Sequence, residues 1–258
     1  MKLAFAGKGG VGKTSVTAWM ADWLARNGHN VWMIDADTAL SLGQASGLDH
    51  DSLPQPIISR KDLVHDRIHE GGFLNLNPDV GDLPDELAVD IPLSSPPLHG
   101  IPPGRKRLLV MGGLTNAGGG CACDANALLK ALLAHVVMDS KDCVLVDLEA
   151  GVEHLGRGTV THVDGLVIVS EPSMRSFQTA SDVARMGIEL GLDNQVMVVN
   201  RYQGGNPPDL PCLPKWYITI PPFQGLIERQ MADGNVLNIP ESDEIDVILK
   251  QVVKQLGL

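Results

Sequence analysis

Short apolar runs alternate with longer stretches of helical period along this chain. The apolar runs are Leu3–Ala6, Val31–Ile34, Leu108–Met111, Val144–Val146, Leu166–Val169, Val196–Val199 and Tyr217–Ile220. Runs of this length without polar alternation mark parallel strands buried on both faces. Between them, Thr14 to Asn27 reads as a helix closed by Gly28, and Ser173 to Leu190 as another. Asp124 to Met138 reads as a third, with Asp124 as N-cap and Leu128, Leu129, Leu132, Leu133 and Val136 on one stripe. The rhythm predicts an α/β fold: a mostly parallel sheet of about seven strands, helices on both faces and right-handed crossovers. Ligands of such sheets lie at the carboxyl ends of the strands.

Two segments break the rhythm. Leu48 to Lys106 lacks a clean period, and Pro92 to Pro103 carries five prolines. A single domain over 1–258, with an edge insertion at about 48–106, is therefore expected. A second Pro-rich loop runs from Gly204 to Pro214. The stretch with Ile245, Ile248, Leu249, Val252 and Leu256 is amphipathic, with acids at its start and lysines near its end. That charge order suits the helix dipole and a helix docked on the core.

Composition narrows the partners. Of 258 residues, 44% are hydrophobic and 20% charged, as in ordinary globular proteins. The 31 acidic and 20 basic residues leave a net charge of −11, which repels nucleic acid and anionic membranes alike. Arg105-Lys106-Arg107 is too short a cluster to reverse that. Four cysteines are too few for a disulfide framework. Only four apolar residues separate Lys2 from Gly7, and no window nears the roughly 18 of a membrane span, so a cytoplasmic location is expected.

Gly7-Lys8-Gly9-Gly10-Val11-Gly12-Lys13-Thr14 satisfies the phosphate-loop pattern, between a strand and a helix. Its glycines let backbone N–H groups turn toward an anion, and the helix starting at Thr14 and Ser15 adds its positive dipole end. Lys13 would neutralise β- and γ-phosphate charge, while the Thr14 hydroxyl would take one Mg²⁺ position. Asp35 and Asp37 end the second strand, at the sheet edge where a nucleotide would lie. Asp147 follows the strand Val144–Val146, where a carboxylate can hold Mg²⁺ through water, and the Gly151 N–H can sense a γ-phosphate. These features predict a P-loop ATPase using ATP, ADP and Mg²⁺.

Cys121 and Cys123 flank Ala122 ahead of a helix. Two thiols at i and i+2 in an extended segment face one side and can share a soft metal. Two sulfurs are half of a tetrahedral site, and a two-fold axis would supply the other half from a second copy. Zn²⁺, Ni²⁺ and Cu⁺ all accept thiolates, so the pair alone does not name the metal. Cys143 and Cys212 offer no matching pair.

The string Lys8 to Thr14 resembles the deviant phosphate loop of the MinD/ParA/nitrogenase-iron-protein superfamily. The resemblance implies that Lys8 reaches across a dimer to the partner's nucleotide, and that Asp37 orients the attacking water. It also implies an outer-shell metal role for Asp35, and adenine recognition by Asn200 with the backbone around Pro221. A closer likeness runs over nearly the whole chain. Asp147 to Thr159, Met111-Gly112-Gly113 leading to the cysteine pair, and Asn77-Pro78-Asp79-Val80 are similar to CooC-type ATPases. Those proteins are nickel-insertion accessory factors of carbon monoxide dehydrogenase. The resemblance implies a homodimer, Ni²⁺ or Zn²⁺ at Cys121 and Cys123, and carbon monoxide dehydrogenase apoenzyme as partner. Ala122 stands where proline is expected, which loosens the turn without removing a ligand. His154, after the second switch, reads as a hydrogen-bonded loop residue. Two competing readings remain open: an iron–sulfur redox ATPase like the nitrogenase iron protein, and a MinD- or ParA-type positioning switch. The first draws its ligands from two separated loops, and the second uses a basic terminal helix on membranes.

Overall fold

The computed structural model describes residues 1–70, 73–74, 79–112, 122–135, 142–149 and 163–257. Its strands are β1 (Lys2–Ala6), β2 (Asn30–Ala36), β3 (His69–Glu70), β4 (Phe73–Leu74), β5 (Val89–Ile91) and β6 (Lys106–Val110). They continue with β7 (Asp142–Leu148), β8 (Gly165–Ser170), β9 (Gln195–Val199) and β10 (Tyr217–Thr219). Eight of them form one sheet in the order β10-β9-β8-β1-β7-β2-β6-β5, while β3 and β4 make a separate ribbon. Every pairing in the large sheet is parallel except that of β5 with β6. All seven apolar runs are strands of this sheet. The eighth, β5, is three residues long and antiparallel, too short to register as a hydrophobic run.

The helices are α1 (Lys13–Arg26), α2 (Leu42–Ala45), α3 (Lys61–Ile68), α4 (Leu83–Leu87) and α5 (Ala122–His135). After them come α6 (Met174–Glu189), α7 (Gln224–Ala232) and α8 (Ser242–Gln255). Successive residues of a strand face opposite sides, and here both sides are apolar. Leu3 and Phe5 pack with Val16, Trp19 and Met20 of α1 and Leu249 and Val252 of α8. Ala4 and Ala6 belong to the opposite layer, with Leu128 and Leu132 of α5 and Phe177 and Val183 of α6. α8 buries Ile245, Ile248, Leu249 and Val252, with Asp243 and Glu244 in its first turn and Lys254 in its last. Among the described residues no helix is long and apolar enough to cross a membrane.

Helix starts follow local chemistry. Ser173 caps α6, its hydroxyl accepting from the Ser176 N–H at 3.3 Å. α5 begins at Ala122, two residues before Asp124, so Asp124 lies inside the first turn rather than capping it. Cys123 is therefore helical and not part of an extended segment, a correction to the sequence reading. Alanine is the strongest helix former and extends the helix backward by that much.

A buried charge network ties α1 to the sheet edge. Lys106 of β6 donates to Asp22 at 2.6 Å, with both side chains almost fully enclosed. Arg26 Nε donates to the same carboxylate at 2.8 Å, and its guanidinium grips Asp246 of α8 at 2.9 and 2.6 Å. The Ser94 N–H, in the Pro-rich segment, adds a third donor to Asp22 at 3.0 Å. Burial raises the Asp22 pKa, but Lys106 and Ser94 outweigh it and hold the carboxyl below its ordinary value. The neighbouring Arg105 pairs with Asp90, and Arg107 pairs with Asp85 while stacking 3.5 Å above the Trp32 ring. All three cations of that cluster are thus engaged within the chain.

Candidate nucleotide site

The carboxyl edge of the sheet gathers the loop after β1, the acids at the ends of β2 and β7 (β7 runs on through Asp147 to Leu148), and the ends of β9 and β10. The loop after β1 is shaped by glycines in the left-handed region, at φ 146 for Gly7, 81 for Gly10 and 99 for Gly12. A Cβ on Gly7 would stand 2.1 Å from the Val169 carbonyl oxygen, and one on Gly12 2.4 Å from Asn200 Nδ2. Gly9 and Gly10 are exposed, whereas Val11 plugs the core and anchors the loop. Lys13 opens α1 with 4% exposure, and its ammonium donates to the Lys8 carbonyl at 3.4 Å. Ser15 is buried behind it. Such a loop presents N–H groups and one cation to an anion at a helix N-terminus.

Thr14 and Asp147 meet across 133 residues of chain, the Thr14 hydroxyl donating to Asp147 Oδ2 at 2.6 Å. Among the described residues, Asp147 Oδ1 is buried without a partner. Burial, and then the neighbouring Asp35 charge, push the Asp147 carboxyl up to about 8. An enclosed carboxylate with a free oxygen beside a hydroxyl is a donor set that fits Mg²⁺. Asp35 is pushed up to about 7, chiefly by burial, although it accepts from the Asp37 and Leu42 N–H groups at 3.2 and 3.0 Å. With both oxygens held by backbone, Asp35 is a brace for the turn after β2. Asp37 is half-buried and accepts from the Ala39 N–H at 2.9 Å. The Thr38 hydroxyl donates to Glu149 at 3.1 Å, joining the segments after β2 and β7.

Asn200 follows β9 and is 4% exposed. Its Nδ2 donates to the Val11 carbonyl at 2.8 Å. Pro221 is half-buried two positions past the end of β10. Gly151, His154 and Cys121 lie outside the described residues. For Cys123 the backbone alone is placed, in the first turn of α5. Cys143 is buried in β7, where burial pushes its thiol up to about 11, and Cys212 is exposed on a loop. Sequence reasoning did not single out Thr38, Glu149 or Arg201, whose contacts with this edge come from strands far apart in the chain.

Residues 3–210 match the CobQ/CobB/MinD/ParA nucleotide-binding domain. The chain belongs to this family. Within it, the chain is 39% identical over 208 residues to the carbon monoxide dehydrogenase accessory protein CooC of Rhodospirillum rubrum, covering 78% of this chain and 74% of that one. It is 34% identical over 206 residues to an uncharacterised ATP-binding protein of Methanocaldococcus jannaschii, covering 78% and 75%. In fold it resembles the septum site-determining protein MinD of Pyrococcus horikoshii, solved with Mg-ADP, at a TM-score of 0.66 and 16% identity over 99% and 97% of the chains. The family match and the identity to CooC make this a CooC-type, nucleotide-binding ATPase of the MinD/ParA family.

Proposed function

We propose that the chain is an ATP-hydrolysing metallochaperone, a homodimer that assists nickel insertion into carbon monoxide dehydrogenase. The observation that carries this reading is the 39% identity with a CooC protein over 208 residues. The cargo would be a soft divalent ion, nickel or zinc, held by Cys121 and Cys123 from both copies. The start of α5 at Ala122 supports thiolate at Cys123, because a helix N-terminus favours the anion.

In this reading Gly9, Gly10, Val11, Gly12, Lys13, Thr14 and Ser15 enclose the phosphates of ATP. Thr14 and Asp147 would hold Mg²⁺, which would neutralise phosphate charge, and Asp35 stiffens the turn that carries Asp37. The orphaned Oδ1 of Asp147 supports that assignment. Asp37 orients the water that attacks the γ-phosphorus as the bond to ADP breaks. Lys8 adds charge from the partner copy, Gly151 senses the γ-phosphate, and Asn200 and Pro221 face the adenine. Binding of ATP closes the dimer, and loss of phosphate reshapes the interface that carries the cysteines, so metal affinity differs between nucleotide states.

The deciding experiment is a metal titration with size analysis, run without nucleotide, with ADP and with a non-hydrolysable ATP analogue. Metal-dependent dimerisation that disappears in the Cys121→Ala, Cys123→Ala double variant, with ATP binding intact, supports the reading. Stoichiometric metal retained by that variant overturns it.

A further inference from the structure

Asn200 and Arg201 are consecutive at the end of β9, and they grip consecutive carbonyls of the phosphate loop. Asn200 Nδ2 donates to the Val11 carbonyl at 2.8 Å, and Arg201 Nη1 to the Gly10 carbonyl at 3.1 Å. In a trans peptide the C=O of one residue and the N–H of the next point in opposite directions. Drawing the Gly10 and Val11 carbonyls toward β9 therefore turns the Val11 and Gly12 N–H groups the other way, into the loop's concave side. Those are the groups an anion meets.

The backbone around Arg201 is arranged to deliver that contact. The Asn200 N–H is tied to the Ser170 carbonyl of β8 at 2.8 Å, and the Tyr202 N–H to Ile220, just past β10, at 2.8 Å. Arg201 lies between these anchors at φ 55, the left-handed region that a non-glycine residue enters at a cost. Such strain persists only where the surroundings impose it. The Asn200 side chain closes the turn, accepting from the Arg201 N–H at 3.0 Å. Glu171, just past β8, stands 3.5 Å from the same guanidinium nitrogen and restricts its swing. As that ion pair is half exposed, its own contribution to stability is small.

We propose that Arg201 is a positioning residue for nucleotide binding: with Asn200 it clamps the Gly10–Val11–Gly12 backbone so that two phosphate-facing N–H groups are aimed before the ligand arrives. The inference rests on the nucleotide-binding reading of this loop. Its predicted signature is on affinity, because a preorganised loop spares the ordering cost of binding.

Arg201→Asn tests it, since asparagine tolerates the left-handed backbone while losing the guanidinium. The expected result is an unchanged thermal midpoint without nucleotide, and a KM for ATP and Kd for ADP raised about fivefold. The kcat should stay within about twofold, and Arg201→Lys, which keeps a donor, should fall between. NMR order parameters of the Val11 and Gly12 amides, measured without nucleotide, should drop in Arg201→Asn. Wild-type ADP affinity in that variant overturns the clamp, and so do unchanged order parameters. Failure of the wild-type protein to bind ADP would instead overturn the nucleotide reading, leaving the order parameters to judge the clamp.

Discussion

Asp35 and Asp147 stand opposite one another in the parallel pairing of β2 with β7, and neither is exposed. Burial is the first cause of their values of about 7 and about 8; the Asp35 charge then raises Asp147, while Asp37 adds to the rise at Asp35. Both lie above the ordinary 3.8, so the folded chain keeps protons that the unfolded chain has released. Folding stability without ligand therefore falls as pH rises from about 4 through about 8. Denaturant midpoints taken between about pH 5 and pH 8 should fall less in Asp147→Asn than in the native chain. An equal slope in both would refute the assignment.

Lys13 is nearly as enclosed, and its ammonium makes a long hydrogen bond to the Lys8 carbonyl. In the proposed nucleotide-binding reading this enclosed cation, which also interacts with the Asp147 carboxyl, serves a phosphate at the expense of stability. Lys13→Met should leave the nucleotide-free protein equally stable or up to about 1 kcal/mol more stable. Its ATP affinity should drop by about a hundredfold or more, as a charge-assisted contact to phosphate is lost. Calorimetric titration and thermal melts measure the two effects side by side.

The glycines of the loop should rank in a fixed order. A Cβ at Gly7 meets the Val169 carbonyl at 2.1 Å, backbone that the sheet cannot move. One at Gly12 meets the Asn200 side chain at 2.4 Å, which can yield only by releasing Val11. One at Gly10 meets nothing within 4 Å, leaving only the cost of its φ of 81, about 1–2 kcal/mol. Alanine at Gly7 should destabilise most, at Gly12 less and at Gly10 least. Urea unfolding of the three variants checks the order, and Gly10→Ala as the worst would refute it.

Asp22 receives Lys106, Arg26 and Ser94 in a closed environment. Asp22→Ala leaves a buried ammonium uncompensated and should cost about 3–5 kcal/mol. The double variant Asp22→Leu, Lys106→Met should recover much of that loss, because no buried charge is then left unpaired. Equilibrium unfolding of native, single and double variants decides the point.

Much of the fold was legible because apolar runs and helical stripes are local signals, and a sheet covered on both faces writes them plainly. The phosphate-loop pattern was legible for a related reason: its glycines, Lys13 and Thr14 form one contiguous stretch, Gly7 to Thr14. β5 was not, since three residues carry no period. The start of α5 was misplaced by two residues, because Asp124 is a good cap in isolation while Ala122 extends the helix past it. Arg105-Lys106-Arg107 read as a cationic cluster, yet each charge finds an acid or a ring that only folding brings near.

By itself, then, the sequence determined the α/β architecture, the nucleotide loop and the family. Tertiary structure decided how the site is tuned. The Thr14–Asp147 contact, the facing Asp35 and Asp147, and the grip of Asn200 and Arg201 on the loop join residues separated by 112 to 191 positions. Their energies depend on burial and on hydrogen-bond distances a few tenths of an ångström wide, which the order of residues does not encode until the sheet has set its register.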